Sequence, residues 1–156
     1  LRVAGYLSKR DEAYFQQICK QIESWGLTDR FDYWGEVDRE EKITFLNSIH
    51  IMSVPTPYKE PKGLSLLEAM ANGVPVVQPR HGTFPELIEQ TGGGILVEPD
   101  STEALASGLL RLMNDVEGRE ELGKKGKEAV HQNFSDKKMA EATLDVYRQY
   151  VEINEM

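Results

Sequence analysis

Two glutamates eight residues apart, Glu60 and Glu68, are the strongest candidates for chemistry in this sequence. Glu60 lies in a stretch rich in proline, lysine and glycine, while Glu68 lies among apolar residues that predict a buried helix. A carboxylate on a buried helix needs hydrogen-bond donors, and a pair of sugar hydroxyls would supply two. Free N–H groups at the start of that helix favour an anion, and Gly63 would let a ligand approach the backbone. The pattern predicts a phosphate near Gly63 and Leu64, with hydroxyl-bearing rings held by the glutamates.

Other interpretations of these and neighbouring residues are simpler. A single glutamate in a helix more often faces solvent or caps a loop, but two at this spacing, around a glycine and before AMANGVPVV, favour the binding hypothesis. Trp25 and Trp34 are expected to pack in the core rather than stack on a base. The triplet that begins at His81 opens a helix and could contact phosphate, although a plain turn is the favoured interpretation.

The elements that would position these residues alternate between strands and helices. Short apolar runs predict strands at residues 1–7, 31–37, 49–55, 75–79 and 93–99. Helices are predicted between them, after the last strand from Asp100 onward, and again near residues 117–132 and 135–151. Asp38 with Glu41, and Asp100 with Glu103, are expected to form capping boxes. Apolar strands separated by helices predict an α/β fold with a doubly wound, mainly parallel sheet and helices on both faces. Ligands bind at the carboxyl ends of such strands, where loop 56–63 falls.

Charge and composition disfavour several classes of function. The net charge of −8 argues against nucleic acid or an anionic membrane as the main partner. No apolar run reaches the roughly 18 residues that a transmembrane helix needs. One cysteine, Cys19, and three scattered histidines offer neither a disulfide nor metal-ligand spacing. We therefore expect a cytoplasmic protein, or one at the inner membrane face, that holds no metal.

The sequence motif with the highest specificity is EPKGLSLLEAMANGVPVV, residues 60–77. It resembles the E-x7-E signature of retaining glycosyltransferases with the GT-B fold, particularly glycosyltransferase family 4. The likeness continues through FDYWGEVDREEKITFLNSIHIMSVPT before it, and through HGTFPELIEQTGGGILVEPDSTEALASGLLRLM and FSDKKMAEATLDVYRQY after it. The resemblance implies that residues 1–156 form a single nucleotide-sugar-binding domain, the Rossmann-like donor half of a GT-B fold, and a fragment of a larger two-domain chain.

The resemblance also assigns roles to individual residues. Glu60 would contact hydroxyls of the transferred sugar as the catalytic residue, and Glu68 would hold the ribose diol. Backbone N–H groups facing the sugar hydroxyls and the diphosphate would come from Lys62, Gly63, Leu64 and Ser65. The loop beside the base would contain Gly35, Glu36 and Val37. The intact enzyme would transfer a hexose from a UDP- or GDP-type nucleoside diphosphate sugar to an acceptor with retention of configuration, and it would need no cofactor or metal.

Two features of this sequence differ from the family pattern. The family usually has an aromatic or small residue where Lys62 stands, so Lys62 either adds charge to the phosphate site or points into water. The family's donor half begins with a central strand ending in Gly-Arg and a helix starting at Lys-Gly, whose basic residues neutralise the diphosphate. No counterpart precedes Leu1, and the acceptor would bind to a missing N-terminal domain. We therefore expect the chain alone to bind a nucleotide weakly and not to transfer sugar, while its open sheet edge could pair with another copy.

The alternative is a non-catalytic α/β module that binds a nucleotide or serves in signalling or as a scaffold. The same architecture supports many functions, so the fold alone permits this interpretation. A receiver-type signalling domain would need acidic residues at the ends of early strands, and LRVAGYLSKR offers no acidic pair. A relative of the glycosyltransferases that only binds its nucleotide is harder to separate from an enzyme.

Overall fold

The computed structural model describes residues 1–154 of the chain. They divide into two compact units, Leu1–Ile49 and a second that begins at His50. Both units combine parallel strands with helices, so the predicted α/β class is confirmed. In the described part of the chain, every helix is too short or too polar to cross a membrane.

The first unit pairs two short parallel strands. These are β1 (Arg2–Val3) and β2 (Asp32–Tyr33), with Arg2 opposite Asp32 and Val3 opposite Tyr33. Between them lie helix α1 (Glu12–Ser24) and a 3-10 turn (Thr28–Arg30), and helix α2 (Arg39–Asn47) follows. The capping box predicted for Asp38 and Glu41 is confirmed at the start of α2, where each side chain accepts from the other's backbone N–H.

Core packing in the first unit depends on aromatic rings. Trp34 packs edge-on against Phe45 with ring centroids 5.4 Å apart, and Phe15 lies 4.6 Å from Tyr33. The expectation that Trp25 packs in the core is wrong, because its side chain is 63% exposed. Trp25 is the C-cap of α1, and its N–H still donates to the Gln21 carbonyl at 3.1 Å, so the helical spacing extends to it; α1, however, buries none of its residues.

The second unit contains a parallel pair of longer strands. These are β3 (Val76–Pro79) and β4 (Gly94–Val97), paired from Val76–Gly94 to Pro79–Val97. The strand predicted at residues 49–55 is reduced to one bridge, in which the Met52 N–H donates to the Pro75 carbonyl at 3.0 Å. Side chains replace the backbone ladder beyond Met52. The Ser53 hydroxyl donates to the Val77 carbonyl (2.6 Å), and the Val54 N–H donates to Gln78 Oε1 (3.3 Å).

Within residues 50–154, five helices complete the second unit. They are α3 (Leu64–Ala71), α4 (Phe84–Thr91), α5 (Thr102–Asn114), α6 (Val116–Asn133) and α7 (Asp136–Asn154). Helices α3, α4 and α5 all pack against α6, and α5 also packs against β3 and β4. Gly108 permits the second contact, since a Cβ there would lie 2.7 Å from Val97 Cγ1. The side chains buried most completely are Phe84, Leu66, Met70, Leu112, Gln78, Val76 and Val77.

The capping box predicted for Asp100 and Glu103 is wrong by one position. Ser101 is the N-cap of α5, and its hydroxyl oxygen accepts from the Ala104 N–H at 3.0 Å. Asp100 instead has a left-handed backbone with φ of 55°, a conformation that aspartate tolerates better than most residues. Asp100 therefore precedes the helix, and the N-cap position is filled by Ser101, whose backbone is extended as is usual for an N-cap.

Candidate functional site

The loop before α3 is held in place by the turn between β3 and α4. The Thr83 N–H donates to the Glu60 carbonyl at 2.9 Å. Gly82 has φ of +58°, and a Cβ there would lie 2.7 Å from Glu60 O and 2.8 Å from Glu60 N. His81 Nε2 lies 3.0 Å from the Thr56 carbonyl oxygen. The turn therefore fixes the backbone of the loop at two places, Thr56 and Glu60.

The Glu60 carboxylate lies over the start of α3. Its Oε1 accepts hydrogen bonds from the backbone N–H groups of Lys62 and Gly63, both at 3.1 Å. No described residue bonds to Oε2, and the side chain is half-buried. Glu60 therefore stabilises its own loop with one carboxylate oxygen and presents the second oxygen for another contact. The Lys62 side chain is exposed.

Gly63 is required by packing as well as by backbone conformation. It is the N-cap of α3, it is buried, and its φ is +65°. A Cβ at this position would lie 2.5 Å from Leu87 Cδ1 and 3.0 Å from Thr83 Cγ2. The direction in which a side chain would point is thus occupied by α4, so the glycine allows a close approach of α4 to the loop.

The first backbone donors of α3 are open. Because the N-cap is glycine, no side chain caps this helix. Within residues 1–154, no acceptor is found for the N–H groups of Leu64 and Ser65, whereas Leu66 and Leu67 both donate to the Gly63 carbonyl. Leu64 is 60% exposed. Adjacent free donors at a helix start form a site suited to an anion, because the helix dipole adds partial positive charge.

Glu68 is exposed, so the expectation of a buried carboxylate is wrong. Helix α3 buries Leu66, Ala69 and Met70 along one side, and Glu68 falls on the other because successive helical residues turn by about 100°. Its exposed carboxylate lies on the same helix as the open N–H groups, three residues after Ser65. A ligand can therefore reach Glu68 without displacing core side chains.

The residues predicted to lie beside a base belong to the first unit. Gly35, Glu36 and Val37 follow β2 after one intervening residue, Trp34, and precede the cap of α2. The Gly35 carbonyl accepts from the Gly5 N–H at 2.8 Å, and a Cβ on Gly35 would meet no atom within 4 Å. Glu36 is exposed and Val37 is half-buried. The structure therefore places these three residues at the carboxyl end of their own parallel pair.

A cavity of about 310 Å³ lies at the carboxyl ends of β3 and β4. Its apolar walls are Pro55, Pro57, Pro79, Val97 and Leu105, and the start of α5 adds polar groups. The polar atoms at the start of α3 are not among its lining residues. Across residues 1–154 no three His, Cys, Asp or Glu side chains come together as a metal site would require.

Two supporting residues were missed by the sequence interpretation. Gln78 is fully buried, and its Oε1 accepts from Val54 while its Nε2 has no partner among the described residues. His81 was considered a phosphate contact or a plain turn, but its ring instead bonds to the loop that carries Glu60. A polar residue inside the apolar run PVVQP was the available signal for Gln78.

Comparison with known proteins identifies the family. The family described as Glycosyl transferases group 1 matches residues 1–129. An uncharacterised glycosyltransferase of Methanocaldococcus jannaschii is 31% identical over 148 residues, which are 95% of this chain and 36% of that protein. The chain thus spans about a third of the length of that relative.

Solved structures agree with the family match. Sucrose-phosphate synthase from Thermosynechococcus elongatus superposes with a TM-score of 0.84 at 30% identity, over 98% of this chain and 39% of that one. Anabaena HepE, crystallised with UDP and glucose, gives a TM-score of 0.81 at 22% identity over 92% of this chain and 40% of that one, and so supports the fold. The predicted C-terminal GT-B domain is confirmed, and the chain belongs to the group 1 glycosyltransferases.

Proposed function

We propose that this chain is the donor-binding half of a retaining glycosyltransferase. The intact enzyme would transfer a hexose from a nucleoside diphosphate sugar to an acceptor held by another domain. The observation that carries this proposal is the start of α3, where the N–H groups of Leu64 and Ser65 are open and the Glu60 carboxylate lies beside them. Donors in this arrangement suit a diphosphate, because they match its charge and its oxygen acceptors.

The two glutamates would divide the recognition of the donor. Glu60 would accept from hydroxyls of the transferred sugar through Oε2, since its Oε1 is engaged by the loop backbone. Glu68 would accept from the ribose diol on the exposed side of α3. Each hydrogen bond to a charged carboxylate contributes about 1.5–3 kcal/mol. A uridine nucleotide is the preferred donor class, supported by the UDP in the structure of Anabaena HepE.

In the transfer step the helix start would act on the leaving group. Negative charge grows on the departing diphosphate as the sugar takes on oxocarbenium character, and preorganised N–H donors stabilise that charge in the transition state. Glu60 would orient the sugar ring. No metal or cofactor is part of this proposal. A module without catalytic activity is not favoured, because the matching relative is named a glycosyltransferase.

The proposal is tested by a two-dimensional amide NMR titration of the chain with UDP, GDP and ADP. We expect UDP to shift the Leu64 and Ser65 amides, and Glu68→Gln to weaken its binding about tenfold through the loss of a charged hydrogen bond. Glu89→Gln is the matched control, an exposed glutamate on α4. Unchanged α3 amides, or equal affinities in both variants, would reject the donor site.

The same titration tests the assignment in the first unit. Shifts at Gly35, Glu36 and Val37 that differ between UDP and GDP would support their place beside the base. If these amides respond identically to every nucleotide, or do not respond, the role assigned to this loop is wrong. The outcome at α3 is independent of that result, since its groups recognise phosphate and ribose.

A further inference from the structure

His81 makes a hydrogen bond whose direction is fixed by its partner. Its Nε2 lies 3.0 Å from the Thr56 carbonyl oxygen, and a carbonyl oxygen only accepts, so Nε2 must carry the hydrogen. Its Nδ1 is buried and has no hydrogen-bond partner among the described residues. A leucine or phenylalanine would fill this place without burying an unpaired nitrogen. What distinguishes histidine from them here is its hydrogen bond to Thr56.

The bond belongs to a set of contacts that determine the position of Glu60. His81 donates from Nε2 to the Thr56 carbonyl. Two residues later, the Thr83 N–H donates to the Glu60 carbonyl at 2.9 Å. Gly82, between them, lies directly beneath the Glu60 backbone. The turn formed by residues 81–83 therefore contacts both ends of a five-residue segment of the loop, at residues 56 and 60.

The turn is itself anchored in the core. The His81 ring lies 5.8 Å from the ring of Phe84, which is completely buried at the first position of α4. From this anchor one hydrogen bond goes from His81 to Thr56 and a second from Thr83 to the Glu60 carbonyl, while Glu60 Oε1 accepts from the N–H groups of Lys62 and Gly63. A shift of the loop at Thr56 would move the Glu60 carboxylate relative to the start of α3.

We propose that His81 is a positioning residue for Glu60, which acts by fixing the loop through the Nε2–H bond to Thr56. The effect on turnover rests on the proposed function, whereas the fixing of the loop by His81 follows from the geometry alone. His81 does not touch the donor in this scheme. Its loss lowers the rate at which bound donor reacts and leaves donor binding nearly unchanged, since the N–H groups of Leu64 and Ser65 and the Glu68 carboxylate stay in place.

The tautomer of His81 is the first test, because it needs no substrate. In the 156-residue chain with ¹⁵N-labelled histidine, ring spectra of the neutral form distinguish a protonated from a bare nitrogen. The spectrum of His81→Gln identifies which signals belong to this ring among the three histidines. We expect hydrogen on Nε2 and a bare Nδ1. Hydrogen on Nδ1 would overturn the proposal, since Nε2 could not then donate to Thr56.

The second test measures turnover of the intact enzyme with UDP-glucose as the donor probe. We expect His81→Leu to lower kcat about tenfold, the size of one lost hydrogen bond, with the donor KM within about twofold. His81→Gln should recover most of the rate, because its side-chain amide can donate from near the position of Nε2. An effect on KM alone, or equal losses in both variants, would overturn the positioning role.

His131 provides a matched control. Its Nε2 lies 3.1 Å from the Ala71 carbonyl, the same type of contact at the other end of α3. We expect His131→Leu to leave turnover unchanged. In amide spectra of the 156-residue chain, His81→Leu should shift Lys62 and Gly63, whereas His131→Leu should not. Unmoved Lys62 and Gly63 amides would overturn the proposal. If the intact protein transfers no sugar, the proposed function fails, while the tautomer and these amides still decide whether His81 positions Glu60.

Discussion

Helices α3 and α5 both begin at the carboxyl ends of parallel strands in the second unit, but the first N–H groups are capped by a side chain only in α5. At α5 the Ser101 hydroxyl oxygen accepts from Ala104, and the side chain of Glu103 adds a negative charge to the first turn. At α3 the N-cap is Gly63, which has no side chain to offer, and the N–H groups of Leu64 and Ser65 are open.

The capped start of α5 stabilises the fold, whereas the uncapped start of α3 has N–H donors that can bind a ligand. A capped start satisfies its own donors, so an anion would have to displace the cap. An uncapped start stabilises the fold less, but its donors are available. Glu60 sharpens the contrast, because it bonds to Lys62 and Gly63 just before the helix and leaves the next two donors open.

The largest effect is expected from Glu60→Ala in the intact enzyme. The substitution removes both the proposed sugar contact and the cap on Lys62 and Gly63, so the loop and the transferred sugar lose their alignment. We expect kcat to fall about a hundredfold, as for misplaced reacting groups, with a smaller rise in donor KM. Steady-state kinetics with UDP-glucose measures both constants.

Glu60→Gln is the informative companion, since its amide oxygen can still accept from Lys62 and Gly63 while the charge is lost. We expect the kcat of Glu60→Gln to lie between that of the wild type and that of Glu60→Ala. Glu89→Ala, on the exposed side of α4, should leave kcat unchanged. A Glu60→Ala enzyme with normal kcat would show that Glu60 only caps the loop.

Gly63→Ala tests the cost of placing glycine at the start of α3. An alanine would keep φ at +65° and bring its Cβ to 2.5 Å from Leu87 Cδ1. Left-handed strain and overpacking together should lower the free energy of unfolding by about 3 kcal/mol, measured by urea denaturation. Gly92→Ala is the control, with φ of +61° but no atom closer than 3.7 Å, and should lose only about 1 kcal/mol. Equal losses would mean that α4 does not press on Gly63.

Ser101→Ala should convert the start of α5 into an uncapped one. Loss of the hydroxyl acceptor for Ala104 should reduce the free energy of unfolding by about 1 kcal/mol, the usual value for an N-cap serine. Ser107→Ala, an exposed position inside the same helix, should cost nothing or stabilise the chain slightly, because alanine has the higher helix propensity. If Ser101→Ala is as stable as Ser107→Ala, the contrast between the two helix starts has no energetic basis.

Short-range sequence patterns predicted most helices and strands, but they did not predict the contacts between those elements. The Asp38–Glu41 box depends on four consecutive residues and was predicted correctly. The cap of α5 was misplaced because the left-handed backbone of Asp100 depends on how the chain leaves β4. Strand 49–55 was overestimated because side chains of Ser53 and Gln78 replace the ladder, which periodicity does not reveal.

The candidate site was predicted in part. The motif drew attention to Glu60, Gly63 and Glu68, but the physical reason given for Glu68 was wrong, since a short helix with apolar residues on most sides does not show which side is buried. That Gly63 admits a ligand stays a prediction; the close packing of α4 against Gly63 was not foreseen. The bond from Glu60 to the loop backbone depends on a loop conformation that sequence spacing does not fix.

The smallest expected effect concerns the pH dependence of the α5 start. A hydrogen bond from its own backbone N–H, with further bonds from Thr102 and Ser101, lowers the pKa of Glu103 below its ordinary value of 4.5. A lowered carboxyl pKa stabilises the fold above pH 4.5, and this stabilisation is lost as the pH falls through the folded-state pKa. Glu103→Gln should therefore unfold at a slightly lower temperature than the wild type at pH 7, and the two should converge in acid. A gap for Glu103→Gln that persists at the lowest pH would show that the side chain acts by packing rather than by charge.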